Sequence, residues 1–262
     1  MRFFSIASGS KGNCVCAVSG STAILIDAGV AAKTVKSALS SAGIEFDSVK
    51  GIFLTHEHTD HIKRLSCVAS ALHAPVFANM NTVNAVCNKG NYSKGCSFYE
   101  LPTGKEAELG EISVVSFKSS HDAAESVGYI ISDGKEKIAV CTDTGRVTKD
   151  IADAIYGAKL VYIESNHDEK MLVEGDYPPI LKDRILSSRG HLSNCECGCS
   201  CRTLLEGGAE HFILAHLSEE NNTPRLALET VSGILAAGGA KVGNDCSIEA
   251  AGQYAPSKIY EI

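Results

Sequence analysis

The sequence has no tryptophan, only three methionines and six prolines in 262 residues, and no apolar run near the roughly 18–20 residues needed to span a membrane. It also has no excess of positive charge. Its formal net charge is −7, which argues against a generally basic nucleic-acid-binding surface. The apolar patch in the opening MRFFSIASGSKGNC is too short for a signal-peptide core. We therefore expect a cytoplasmic protein that does not associate with membranes.

The sequence has many cysteines but no sign of a disulfide framework. There are eleven, an odd number, in a chain without an export signal, which favours reduced thiols. Four alternate in CECGCSC, at Cys195, Cys197, Cys199 and Cys201. On a helix, Cys195/Cys199 and Cys197/Cys201 would be neighbours and could bind a soft metal. No second Cys-x₂₋₄-Cys unit accompanies them, so we favour reduced thiols without a metal.

Alternating strand and helix patterns predict a mixed α/β chain that forms one domain over residues 1–262. Strands are indicated by RFFSIA, CVCAVS, AILIDAG, GIFLTH, EISVVSF, VGYIIS, KIAVCTDTG, KLVYIES and HFILAH. Helices are indicated by AAKTVKSALSSAG, HIKRLSCVASALHA and TPRLALETVSGILAAGG. Asp133-Gly134 predicts a hairpin turn. Both ILIDAGV and AVCTDTGRV are strands that end in Asp-x-Gly, which leaves open whether two halves of the chain are related.

The stretch FLTHEHTDHI places His56, His58, Asp60 and His61 on a predicted turn between a strand and a helix. Imidazole and carboxylate groups bind borderline-soft divalent metals such as Zn²⁺, and a catalytic site needs several of them around an open position. In an extended segment His56 and His58 project to the same side, while Asp60 and His61 can face a second metal. A histidine-rich surface turn is the alternative, and the density of ligand residues disfavours it.

THEHTDH resembles the T-H-x-H-x-D-H signature of the metallo-β-lactamase-fold hydrolases. The resemblance covers essentially the whole chain and implies a four-layer αβ/βα sandwich of two mixed β-sheets flanked by helices. It also implies two metal ions at the strand ends. By position, one metal would be held by His56, His58 and His121, the other by Asp60, His61 and His216, with Asp143 bridging and Asp27 supporting the site. His121 or His216 alone would more often be an ordinary buried or surface histidine.

Four further segments are similar to segments of the YycJ/WalJ group of exonucleases within that superfamily, namely SGSKGNC, IESNHD, HLSN and LAHLSEENN. This closer resemblance implies catalytic roles for Glu164 and His191, beside Asp60, with the glutamate and histidine acting on the phosphate. A carboxylate that holds one imidazole nitrogen orients the ring for proton transfer. Only 27 positions separate Glu164 from His191, too few for the large inserted domain of several related nucleases.

Two loops could contact substrate. Backbone N–H groups and the lysine of SGSKGN could bind a phosphate, which makes Ser10, Lys11 and Asn13 candidates. The same residues could form a plain turn. In HLSN, Ser193 is a further candidate, although it could instead cap the following helix.

The function these residues favour is a metal-dependent phosphodiesterase acting on nucleic acid, specifically a 5′-to-3′ DNA exonuclease. Its cofactors would be two divalent metal ions, Zn, Mn or Fe, among which the ligand set does not choose. A hydrolase of a small molecule, such as a thioesterase, lactonase or cyclic phosphodiesterase, is the main alternative. A non-catalytic metal- or redox-responsive protein is a further one. The oligomeric state stays open.

Overall fold

The computed structural model describes all 262 residues, with fourteen strands and nine α-helices. The strands are β1 Arg2–Ala7, β2 Cys14–Ser19, β3 Thr22–Ile26, β4 Val49–Phe53, β5 Val76–Ala78, β6 Phe98–Glu100, β7 Glu106–Leu109, β8 Ile112–Lys118, β9 Val127–Ser132, β10 Lys137–Cys141, β11 Leu160–Glu164, β12 His211–Ala215, β13 Ser247–Ala250 and β14 Tyr260–Glu261. The helices are α1 Ala32–Ser41, α2 Thr59–Ile62, α3 Leu65–Leu72, α4 Met80–Asn88, α5 Lys149–Ile155, α6 Glu169–Glu174, α7 Pro179–Leu186, α8 Asn194–Glu206 and α9 Pro224–Ala237.

The strands form two mixed seven-stranded sheets. The first has the order β14-β1-β2-β3-β4-β5-β6, and neighbouring strands from β3 to β6 are parallel. The second has the order β13-β12-β11-β10-β9-β8-β7, and neighbouring strands from β10 to β13 are parallel. The β9–β10 pair is antiparallel, which confirms the predicted hairpin at Asp133-Gly134.

Successive side chains of each strand pack into different layers, as the pleat of a β-strand requires. In the first sheet, Ile24 packs between the two sheets, whereas Leu25 packs with α1 and α3. In the second, Tyr162 lies between the sheets and Val161 packs with α8 and α9. The order is therefore helix, sheet, sheet, helix. This confirms the predicted four-layer αβ/βα sandwich.

The parallel strands bring the polar residues that follow them to one edge of the sandwich. Asp27 follows β3, residues 55–61 follow β4, Asp143 follows β10, Glu164 ends β11 and His216 follows β12. Carboxyl ends of parallel strands are where α/β sheets place their ligand sites. Side chains separated by up to 189 positions can therefore meet here.

The prediction of one helix over HIKRLSCVASALHA was wrong, because the structure ends α2 at Ile62 and starts α3 at Leu65. The break follows from two tertiary backbone hydrogen bonds. Ala28 N–H donates to the His61 carbonyl at 2.8 Å, and Arg64 N–H donates to the Ala28 carbonyl at 3.1 Å. The His61 carbonyl thus accepts from the loop after β3, which fixes that loop against the histidine motif.

The predicted last helix is confirmed as α9. Pro224 occupies its first turn, and the Thr223 hydroxyl accepts a hydrogen bond from Leu226 N–H at 3.1 Å. Proline and a hydroxyl cap are the start signals read from the sequence. Neither α9 nor any other helix has the length and apolar content needed to cross a bilayer.

Candidate metal centre

The histidine motif spans the tight turn after β4 and the short helix α2, with His58 at the helix N-cap and Asp60 and His61 within the helix. Asp27 fixes the base of this turn. Its Oδ1 accepts from Thr55 N–H at 2.9 Å, and its Oδ2 accepts from the Thr55 hydroxyl at 2.8 Å. Thr55 and Asp27 are both buried, and they follow the packed strands β4 and β3. This contact therefore fixes the direction in which the histidines after Thr55 leave the sheet.

His56, His58 and His121 form the first group of potential ligands, and their ring nitrogens lie within 4.8 Å of one another. The His121 Nδ1 donates to the Gly190 carbonyl at 2.9 Å, which leaves Nε2 available as the ligand atom. That Nε2 lies 3.2 Å from His58 Nδ1. Two imidazole nitrogens so close can bind the same cation.

Asp60, His61 and His216 form the second group, also with ligand atoms within 4.8 Å of one another. Asp27 Oδ2 accepts from His61 Nδ1 at 2.7 Å, which points His61 Nε2 toward Asp60 Oδ2 at 3.3 Å. His216 Nε2 lies 3.2 Å from the same Asp60 oxygen. Glu164 Oε1 accepts from His216 Nδ1 at 3.1 Å, so both imidazoles have one nitrogen held by a carboxylate outside the group and the other facing into it.

Asp143 lies between the two groups. Its Oδ2 is 3.3 Å from His61 Nε2, while its Oδ1 is 3.7 Å from both His121 Nε2 and His216 Nε2. The residue is 2% exposed. A buried carboxylate that approaches histidines of both groups is placed to bridge two cations.

Three residues of the centre have left-handed backbone conformations. The φ angles are 62° at Asp27, 54° at Asp143 and 53° at His216. Such a conformation costs a non-glycine residue roughly 1–2 kcal/mol, so it persists only where the surroundings fix it. Each turns the chain sharply after its strand and directs the side chain toward the cluster. Asp27 and Asp143 are also the aspartates of the two Asp-x-Gly repeats seen in the sequence.

The charges of the cluster suit divalent cations. Burial lowers the pKa of His56 and of His58, which keeps these rings neutral as metal binding requires. Burial also lowers the pKa of His61 and His216, but nearby carboxylates, Asp143 among them, outweigh it and hold both pKa values above the usual range. A field that favours protons on two buried imidazoles favours metal cations in the same place.

Two buried atoms of the cluster have no hydrogen-bond partner, namely His56 Nε2 and Asp143 Oδ2. Buried polar atoms are nearly always paired in folded proteins, so both need a further partner. A set of imidazole nitrogens and carboxylate oxygens is the donor chemistry of Zn²⁺ and related divalent ions. The residues present therefore fit two metal ions.

Glu164 and His191 form a pair beside the cluster. Glu164 Oε1 accepts from His191 Nδ1 at 2.7 Å and from His216 Nδ1 at 3.1 Å, while Oε2 accepts from Thr144 N–H at 2.9 Å. Burial raises the pKa of Glu164, but the interactions with His191 and His216 outweigh it and bring the value to about 2. The carboxylate is thus ionised at neutral pH. It holds the His191 ring with Nε2 free.

The predicted substrate contacts lie in different settings. Ser10 lines the cleft above the cluster, and Lys11 is exposed with its Nζ 3.5 Å from Glu219 Oε2. Asn13 is buried and donates from Nδ2 to Asp60 Oδ2 at 3.0 Å. Ser193 is also buried and caps α8, since its hydroxyl accepts from Glu196 N–H at 3.2 Å. The positions of Asn13 and Ser193 favour supporting roles over direct substrate contact.

Sequence reasoning missed two cations at the rim of this cleft, which has a volume of about 350 Å³. Lys89, at the end of α4, donates to the Glu57 carbonyl at 2.9 Å. Arg184, on α7, makes two hydrogen bonds to the Asp122 carboxylate, at 2.5 and 3.0 Å. Lys89 lies at the end of a different helix from the histidine motif, and Arg184 lies on α7, before the loop that carries His191, so neither belongs to a motif that the sequence identified.

The alternating cysteines lie on α8, as predicted, but their sulfurs do not converge. Cys197 and Cys201 are buried in the core with their Sγ atoms 4.0 Å apart, whereas Cys195 and Cys199 are exposed. No group of three or more ligand-type side chains in the structure contains a cysteine. The arrangement favours thiols that pack or face solvent without a metal.

Replacing the exposed pair, Cys195 and Cys199, with alanine should leave metal-dependent hydrolysis within about twofold of the wild type. The matched buried variant, Cys197→Ala with Cys201→Ala, should lower the free energy of unfolding by about 1–3 kcal/mol because each change leaves a small cavity. Its turnover should still persist. Thermal unfolding and hydrolysis rates of both variants check this. A large loss of turnover in the exposed pair, with the fold retained, would assign those thiols a role in the reaction.

Comparisons with known proteins identify a family that matches most of the chain. Residues 22–217 match a family described as a beta-lactamase superfamily domain. Exodeoxyribonuclease YycJ of Bacillus anthracis is 37% identical over 260 residues, which cover 99% of this chain and 98% of that protein. Exodeoxyribonuclease WalJ of Streptococcus pneumoniae is 33% identical over 249 residues, covering 94% and 93%. The crystal structure of the metallo-beta-lactamase fold protein YhfI from Bacillus subtilis superposes with a TM-score of 0.74 at 15% identity, covering 99% and 98%.

Proposed function

Because this chain belongs to the beta-lactamase superfamily, we propose that it is a nuclease with two divalent metal ions that degrades DNA from the 5′ end. The two exodeoxyribonucleases similar to it over nearly its whole length support a nucleic-acid substrate. Zn, Mn and Fe all suit the donor set. The proposal places the protein in the cytoplasm, where its thiols stay reduced.

We assign one metal to His56, His58 and His121 and the other to Asp60, His61 and His216, with Asp143 between them. Asp27 would support His61 from behind. When bound, two such ions supply an activated water at neutral pH and neutralise charge on the phosphoryl oxygens. Carboxylates that hold the far nitrogens of metal-binding histidines raise the basicity of the rings and fix their orientation. Asp27 and Glu164 are placed to do this for His61 and His216.

His191 and Glu164 would act on the leaving group. Hydrolysis adds water to phosphorus and breaks the bond to the 3′-oxygen of the terminal nucleotide, which must gain a proton. With Nδ1 donating to Glu164, His191 can offer Nε2 to that oxygen or to a phosphoryl oxygen. The ionised Glu164 fixes the orientation of the ring for this role.

The single observation that carries this function is the polarity of the cleft above the cluster. Nine residues line it and none is hydrophobic, while Lys89 and Arg184 add positive charge at its rim. Sites for small organic molecules are usually lined by apolar side chains with a few polar groups. A thioester or lactone would find no apolar wall here. A phosphodiester would find cations and hydrogen-bond donors.

Purified, metal-loaded protein tested on a substrate panel checks the proposal. The panel contains 5′- and 3′-end-labelled DNA, the matched RNA, a thioester, a lactone and a cyclic nucleotide. We expect mononucleotides released progressively from the 5′ end of DNA, and at most slow turnover of the acyl substrates. Hydrolysis of an acyl substrate or cyclic nucleotide with no attack on DNA would refute the proposed function.

A further inference from the structure

A second cleft of about 600 Å³, here called the basic cleft, lies beside the candidate metal centre. The two are separated by His121, which lines the basic cleft and also belongs to the first ligand group. Lys118, Arg146 and Arg189 line the cleft as well. Three cations thus lie next to the cluster in a chain whose net charge is −7.

Hydrogen bonds between loops hold the basic cleft in shape. Gly145 N–H donates to the Ser120 carbonyl at 2.8 Å, and the Ser120 hydroxyl donates to the Ser188 carbonyl at 2.8 Å. The Arg189 guanidinium donates to the His121 carbonyl from Nε at 3.2 Å and from Nη2 at 3.0 Å. The loops that follow β8, β10 and α7 therefore form one connected wall. The cleft and the metal centre share this wall.

The charge of the cleft is available to a ligand. Lys118 and Arg146 are exposed, and neither side chain forms an ion pair. Glu125 is the one carboxylate among the lining residues, and both of its oxygens accept hydrogen bonds. The donors are the Thr103 hydroxyl at 2.6 Å and Asn81 Nδ2 at 2.8 Å. The electrostatic balance favours an anion.

One buried polar atom in the basic cleft has no partner within the protein. The Ser119 residue is 5% exposed, lines the basic cleft, and has a hydroxyl with no hydrogen-bond partner. Buried hydroxyls are normally paired. A phosphate oxygen is an acceptor that this hydroxyl and the neighbouring cations could bind together.

We infer that the basic cleft binds phosphates of the substrate strand next to the scissile bond. The inference rests on the proposed function and extends it, because it assigns the strand a path from the metal centre past His121. Lys118 and Arg146 supply sequence-independent attraction to the backbone, as phosphate contacts generally do. The phosphate of a free mononucleotide has the same chemistry, so a free mononucleotide is the alternative ligand for this cleft.

The test uses the double variant Lys118→Ala with Arg146→Ala and a single-stranded DNA whose phosphorothioate linkages resist hydrolysis. Each phosphate contact contributes about 0.7 to the slope of log affinity against log salt for single strands, so the slope should fall by about 1.4. Affinity at 0.1 M salt should fall about 10- to 30-fold. Turnover of the p-nitrophenyl ester of thymidine 5′-monophosphate, which has no neighbouring nucleotides, should change by less than about twofold.

Lys135→Ala with Lys241→Ala is the matched control, since it removes two exposed charges at the opposite end of the strands. Its binding slope should equal that of the wild type. An unchanged slope in the Lys118/Arg146 variant would overturn the inference, even if the wild type cleaves DNA. Conversely, a reduced slope in a protein that cleaves no DNA would show that the basic cleft binds the strand, but it would refute the proposed function. Loss of inhibition by thymidine monophosphate, with strand affinity retained, would assign the cleft to free nucleotide and also overturn the inference.

Discussion

Asp143→Asn is expected to lose metal and DNA hydrolysis together, with kcat/KM falling by at least about 10³-fold. The carboxylate approaches histidines of both ligand groups, through Oδ1 to His121 and His216 and through Oδ2 to His61. The amide has nearly the same shape but no charge, so the fold should survive. His58→Ala should lose metal and activity in the same way, because it removes a ligand atom from the first group.

Asp153→Asn on the exposed face of α5 is the matched control, because it makes the same chemical change at a residue that belongs to neither ligand group. Metal content by elemental analysis, circular dichroism and DNA cleavage should be measured on all three variants. The control should match the wild type. Full occupancy of both metals in Asp143→Asn or in His58→Ala would refute our assignment of that residue as a ligand.

His191→Ala should keep both metals while turnover falls by about 10²–10⁴, the usual contribution of a positioned proton donor. The ring is placed for such a role because Glu164 Oε1 accepts from its Nδ1 at 2.7 Å. The seven residues assigned to the two metals already provide three ligands for each and a bridge. We therefore expect His191 to be needed for the reaction and dispensable for metal binding.

Glu164→Gln tests two roles of Glu164 that the sequence could not distinguish, namely holding His191 for the reaction and holding His216 for metal binding. The same Oε1 also accepts from His216 Nδ1, so this variant should weaken metal affinity by about 10- to 100-fold as well as slow turnover. At saturating metal, the double variant with His191→Ala should be little worse than His191→Ala alone. Loss of a metal from His191→Ala would make that residue a ligand. Additive losses in the double variant would show that the two residues act independently.

The sequence was most informative where ligands are close together or follow recognisable strands. Residues 56–61 are one short segment across the end of a turn and the start of α2, and its density of histidine and aspartate identified the site directly. Asp27, Asp143 and His216 each follow a buried strand, and parallel strands bring their carboxyl ends to one edge. The order of these residues, compared with a known family, therefore predicted both the fold and which residues would meet.

The features that the sequence did not predict depend on tertiary contacts, which leave no pattern in the local sequence. The helix predicted across residues 61–74 is broken because Ala28, 33 positions before His61, accepts from and donates to that segment. Asn13 looked like part of a phosphate loop, but folding brings its amide to Asp60. Lys118, Arg146 and Arg189 are isolated basic residues in the sequence. They form a cleft only after three loops have packed together.

The central claim is that two metal ions in this His/Asp cluster are required to cleave DNA, and a metal titration tests it most directly. Protein stripped with a chelator would be titrated with Zn²⁺, Mn²⁺ or Fe²⁺ while bound metal and release of 5′-labelled mononucleotide are recorded together. We predict no cleavage by the stripped protein and a return of activity that saturates at two equivalents of metal. Cleavage by the stripped protein, or full activity at one equivalent, would contradict the account.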